Sequence, residues 1–181
     1  RTFLYPGPDL RLPYRGVLSL GARLTLSGSA ETRGTPYLLL AGGAGAVVAS
    51  HVEASDAPPA SDFVAVAERF VGTPYLWGGR TSLGIDCSAL VQLALMAAGK
   101  GAPRDSDLQE AMVGSPVEGG TAAPLKRGDL VFWPGHVGIM IDSEYLVHAS
   151  GHQMAVVIEP LRVAIERMVA SVGRPTSVRR P

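Results

Sequence analysis

The chain has 181 residues, 46% apolar and 18% charged, and its sixteen basic residues balance its sixteen acidic ones. This composition describes a soluble globular protein and excludes a disordered one; the balanced charge gives no electrostatic case for nucleic acid or an anionic membrane as partner. The longest charge-free apolar stretch, Tyr37 to Ser50, carries three glycines and is too short to span a bilayer. Fourteen of the basic residues are arginine, which reads as compositional bias. No signal peptide is visible, and the start at Arg1 leaves open a leader or a module upstream. The single cysteine excludes an internal disulfide and says nothing of compartment. Four histidines stand without C-x-x-C or H-E-x-x-H spacing, so no metal is expected.

Residues 1–54 alternate short apolar runs with glycine and proline, the pattern of a small all-β barrel or sandwich. Residues 55–61 are polar and proline-bearing and read as a linker. Ser61 then suits the N-cap of a helix whose apolar residues Phe63, Val66, Ala67 and Phe70 recur at helical spacing. "VGTPYLWGGR" ends that helix in an aromatic-rich loop. From Cys87 to Ala98 nearly every residue favours helix and is apolar, which predicts a central, buried helix. After "GKGAPRDSDLQEAM" come "DLVFW", "HVGIMID", "YLVHAS" and "MAVVIEPL", four strand-like runs so closely spaced that antiparallel pairing is expected. The Arg-rich end, residues 176–181, reads as a loose tail. The second part, residues 62–175, is therefore α+β, with helices first and then a meander packed on them.

Cys87 falls in the first turn of its helix, where unpaired N–H groups and the helix dipole favour thiolate over thiol. Gly84 is expected to let the chain turn sharply into that helix. A free cysteine beside an apolar helix is more often inert packing. Its neighbours Asp86 and Ser88 argue against that, because polar groups around a buried thiol need partners.

A nucleophilic thiol also needs a base, and the base an orienting group. A fold-back about Ser143 sets His148 opposite Gly138, one same-face step from His136. Val137, Ile139 and Ile141 then face one way with Val147 and Ala149, and both histidines face the other. Each histidine alone reads as structural; paired in register beside a lone cysteine, they read as catalytic. His51 and His152 have no such support and are expected to be structural or solvated.

The blocks "GTPYLWGGRTSLGIDCSALV", "APRDSDLQ", "GDLVFW", "GHVGIMID" and "YLVHAS", in that order, closely resemble the NlpC/p60 cell-wall cysteine peptidases over about residues 62 to 160. The resemblance implies a papain-like α+β fold with Cys87 as nucleophile, His136 as base and His148 as the orienting third member. The layout is similar to the subgroup in which a bacterial SH3-like module, here residues 1–54, precedes the peptidase domain. That subgroup cleaves γ-D-glutamyl–L-diamino-acid bonds in murein peptides with a free L-alanine amine. By the same resemblance Tyr75, Asp86, Ser88 and Ser106 hold the substrate, and Asp86 faces the ammonium. Trp77 reads as packing on its own core, with a place in the cleft wall as the alternative. Ala89 stands where the family usually has glycine, a change a helix tolerates. The expected partner is a murein peptide, with no cofactor and no protein partner. Rival readings are an amidase or acyltransferase on the same three residues, or a wall-binding module with a vestigial site.

Overall fold

The computed structural model describes all 181 residues, which divide into two compact units, Arg1–Pro58 and Pro59–Pro181. In the first, turn residues cut the chain into short strands: β1 (Thr2–Leu4), β2 (Gly16–Leu18), β3 (Leu26–Thr32), β4 (Thr35–Leu40) and β5 (Gly45–Val48). β1 pairs with β2, and β3, β4 and β5 form an antiparallel sheet around buried Tyr37, Ala46 and Val47. One bridge, Tyr5 to Ala46, links the two sheets. The expected SH3-like barrel is not closed by strand pairing: no ladder joins β3 to β2. Periodicity and turns specify strands, but closure depends on pairings between distant segments that periodicity does not encode.

The second unit begins with α1 (Phe63–Glu68), then β6 (Arg80–Thr81), β7 (Gly84–Ile85), α2 (Cys87–Ala97), α3 (Ser106–Met112) and β8 (Ser115–Pro116). The meander follows as β9 (Leu130–Trp133), β10 (His136–Met140), β11 (Tyr145–Ser150) and β12 (Ala155–Pro160), and the chain ends with α4 (Leu161–Met168) and β13 (Ser177–Arg180). The six-stranded sheet runs β12-β11-β10-β9-β13-β8, every neighbouring pair antiparallel. Asp62, not Ser61, caps α1, its carboxylate accepting from the Val64 amide.

α2 is the central helix its composition predicts. Ala89, Leu90, Val91, Ala94 and Leu95 are fully buried and pack with Val137, Ile139 and Val147 on one face of the sheet. Complete burial of a Leu contributes about 1.5–3 kcal/mol. The opposite face carries Trp133, Met140 and Leu146, covered by Leu161, Ala164 and Met168 of α4. No helix is long and apolar enough to cross a membrane.

The C-terminus is not a loose tail. β13 lies inside the sheet between β9 and β8, with Val178 buried and Arg180 paired to buried Asp129 at 2.7 Å. Its Arg-rich composition resembles a solvated end, whereas Ser177 to Arg179 pair with β9, and Arg179 and Arg180 with β8.

Candidate active site

The backbone of α2 opens on Asp86, whose side chain accepts from the Ala89 amide at 2.8 Å and caps the helix. Cys87 is thus the first helical residue. Gly84 lies in extended backbone, and its role is space: a Cβ there would sit 2.7 Å from Leu76 Cβ. The sharp turn expected at that glycine is not what it supplies.

Asp86 is the hub of a polar network. Besides Ala89, it accepts from the Gly78 amide at 2.9 Å, from the Ser88 hydroxyl at 3.3 Å, and from Arg104 at 2.9 and 2.6 Å. Arg104 also donates to Ser88 Oγ at 2.9 Å. Gln109 of α3 donates to the Ser88 and Pro103 carbonyls, both at 2.8 Å, so α3 is tied to the start of α2. Arg104 and Gln109 escaped the sequence reading; the arginine of "PRDS" was the available signal.

Cys87, Ser88, Tyr75 and Ser106 line a cavity of about 570 Å³ together with Trp77, Arg104, Asp105 and Gly135. Trp77 is 81% exposed on its rim, so it walls the cleft and does not pack on its own core. Asp86 also reaches this cavity, but its oxygens are already occupied. Asp105 is exposed there and its carboxylate makes no hydrogen bond, not even to the amides of the helix it precedes.

The histidines come from the hairpin. β10 and β11 pair with Ile139 opposite Val147, the register set by folding about Ser143. Gly138 is required by close approach, since a Cβ there would lie 2.4 Å from Leu146 Cδ1 and 3.4 Å from His148 Cβ. The His136 and His148 rings, 5.0 Å apart and nearly perpendicular, are joined through His136 Nε2 and His148 Nδ1 at 2.8 Å. His148 Nε2 meets Glu159 Oε1 at 2.7 Å. Both histidines line a second cavity of about 260 Å³ with His152, Ser150 and Arg167. Tyr75 and Gly135 line both cavities. His51 binds the Thr2 hydroxyl at 3.0 Å, a structural contact.

The electrostatics correct one expectation. Burial pushes the Cys87 thiol up and the Asp86 carboxylate adds to this; amides of Val137, Ser88 and Cys87 favour thiolate but do not prevail. The hydrogen-bond partner of the thiol is the Gly135 carbonyl, at 4.0 Å, and not a ring nitrogen of His136. His136 is held down to about 3, by burial first and then by His148 and Arg167. The resting pair is therefore neutral thiol and neutral imidazole. Alkylation of Cys87 by iodoacetamide in the free protein is expected to climb above the ordinary thiol value of about 8.5, with no plateau at mildly acidic pH. Intact-mass labelling across a pH series reads this; an acidic plateau would mean a preformed thiolate–imidazolium pair.

Residues 72–171 match the model of the NlpC/P60 family. The chain belongs to the NlpC/P60 family. It is 40% identical over 87 residues to a dipeptidyl-peptidase 6 of Lysinibacillus sphaericus, covering 48% of this chain and 31% of that protein. It is 32% identical over 114 residues to a γ-D-glutamyl-L-lysine dipeptidyl-peptidase of Bacillus subtilis, covering 54% and 37%. Among solved structures, an NlpC/P60 family protein from Bacillus cereus matches with a TM-score of 0.71 and 25% identity, over 99% of this chain and 60% of that one. The chain thus spans about a third of the length of these two curated NlpC/P60 relatives.

Proposed function

We propose that the protein is a cysteine peptidase that hydrolyses the γ-D-glutamyl–L-diamino-acid bond of murein peptides bearing a free N-terminal L-alanine. The observation that carries this reading is Cys87, the first residue of α2, lining a cavity with Ser88, Arg104 and Asp105 that shares Tyr75 and Gly135 with the cavity of the His136–His148 pair. In this reading residues 62–175 are the peptidase domain and residues 1–54 an open, five-stranded SH3-like module. The names of the Lysinibacillus and Bacillus relatives support the choice of bond.

The larger cavity takes the acyl part of the substrate and the smaller one the leaving diamino acid. Cys87 Sγ turns from the Gly135 carbonyl, gives its proton to His136 and attacks the γ-glutamyl carbonyl carbon. The oxyanion is met by amides at the start of α2 and by the Tyr75 hydroxyl, at about 2.7–4 kcal/mol per donor. Burial, with Cys87 and Asp86 nearby, raises the Tyr75 hydroxyl's pKa and keeps it a donor. Collapse breaks the C–N bond as His136 protonates the leaving amine. Water, deprotonated by His136, then attacks the thioester, and the thiolate leaves and recovers its proton. With Asp86 committed to Arg104, the counter-charge for the L-alanine ammonium falls to Asp105, which has a carboxylate to spare.

The test offers the protein L-Ala-γ-D-Glu-diaminopimelate, the L-lysine analogue, and each peptide acetylated at its amine, with products identified by mass. Release of L-Ala-γ-D-Glu from the free peptides alone is expected. Cleavage of the acetylated forms would remove the amine requirement, and cleavage of none would remove the peptidase assignment.

A further inference from the structure

The hydrogen bonds behind His136 continue past His148 in a definite order. Continuing the Ile139–Val147 register by one residue sets Gly138 opposite His148, in line with the 3.4 Å that would separate a Cβ at Gly138 from His148 Cβ, and Val157 pairs with His148 on the other side. His136 and Glu159 are each displaced by two residues from those partners, so all three side chains share one face. Arg167 reaches back from the last turn of α4 and holds Glu159 with both terminal nitrogens, Nη1 to Oε2 at 2.7 Å and Nη2 to Oε1 at 2.5 Å. Gln153 Nε2 adds a longer contact to Oε2 at 3.4 Å.

We propose that the Glu159–Arg167 pair sets the tautomers of both imidazoles and so leaves His136 Nδ1 as the proton acceptor of the site. The inference rests on the peptidase reading above. A carboxylate clamped by a guanidinium only accepts hydrogen bonds. The nitrogen of His148 that faces it, Nε2, therefore carries a proton, and in a neutral ring Nδ1 is then bare. A bare His148 Nδ1 requires the proton of the 2.8 Å bond to sit on His136 Nε2. The lone pair of His136 is consequently on Nδ1. Burial raises the Glu159 carboxyl, but the hydrogen bonds from Arg167 and His148 outweigh it and hold the group well below the usual carboxylate range. Glu159 thus stays ionised while the thiol proton travels to His136 and on to the leaving amine. Glu159 touches neither thiol nor substrate in this scheme and is a positioning residue.

Glu159→Gln reverses the order. A side-chain amide can donate to His148 Nε2, which moves the His148 proton to Nδ1. That proton then bonds to His136 Nε2, and the His136 proton moves to Nδ1, where the lone pair is lost. The experiment is two-bond ¹H–¹⁵N correlation of the histidine rings near neutral pH in the wild-type protein and in Glu159→Gln, with His136→Ala and His148→Ala for assignment. Both rings are expected as Nε2–H in the wild type and as Nδ1–H in the variant, whose kcat falls about 10–100-fold with KM little changed. A wild-type His148 that is Nδ1–H or doubly protonated overturns the proposal, whether or not the variant folds. So does a variant that loses kcat with wild-type tautomers, or one that keeps both. Failure of the wild type to cleave any peptide would remove the peptidase reading but not the tautomer result.

Discussion

Cys87→Ala is expected to lower turnover of the γ-D-glutamyl peptide by about 10⁴-fold or more while changing stability by less than about 1 kcal/mol. The two readings of this residue separate on that pair of measurements. As packing, the thiol is only 6% exposed and lies among the residues buried around α2, but its one hydrogen bond is a 4.0 Å contact to the Gly135 carbonyl. Alanine keeps the Cβ, suits a helix and removes a single heavy atom. As nucleophile, the sulfur forms the thioester, and no neighbouring group replaces it: the Ser88 hydroxyl is engaged with Asp86 and Arg104. Peptide cleavage followed by mass, beside thermal unfolding of the same samples, checks both halves. Retained turnover would return Cys87 to the role of filler.

Removing residues 177–181 is expected to lower the unfolding midpoint by about 10 °C or more, or to prevent folding of the unit that holds the site. The deletion takes out β13, and with it the ladder to β9 and the support of β8. Val178, 1% exposed, would leave an opening beside Trp133 and Leu146, a burial worth about 1.5–3 kcal/mol. Asp129, fully buried, would lose Arg180 and keep only the Lys126 amide for its charge. β9 is also the strand that pairs Trp133 with His136, so the damage reaches the hairpin that carries His136 and His148. Circular dichroism on heating gives the answer; an unchanged midpoint would restore the view of these residues as a tail.

How far the sequence could be read depended on how local the signal was. The β10–β11 register was legible from the fold-back about Ser143, which sets Ile139 opposite Val147, and a slip of one residue would have moved the histidines to the face that packs on α2. Helix α2 was legible from its nearly continuous apolar composition, interrupted only by Ser88 and Gln92. The Arg104–Asp86 clamp was not, since its partners lie eighteen residues apart with no periodicity between them. Nor was Glu159, which sits at the end of an apolar run and gains meaning only when Arg167 returns from the next helix. The thiol's ionisation was misjudged for a similar reason: position at a helix start is visible in sequence, burial beside a carboxylate is not.

The segment that carries Tyr75 has a second consequence. Residues 72 to 75 lie along the outer side of β12, where the Gly72 and Tyr75 amides bond to the Val156 and Met154 carbonyls and Pro74 bridges Ala155. At the far side of the sheet, β8 is only two residues long and ends in Pro116. Neither margin of the sheet offers a run of free amides on which another chain could extend it. Strand addition is blocked at one margin by the same stretch whose Tyr75 lines both cavities, so a change that frees this stretch would open a pairing edge on β12 and remove a wall of the cleft at once.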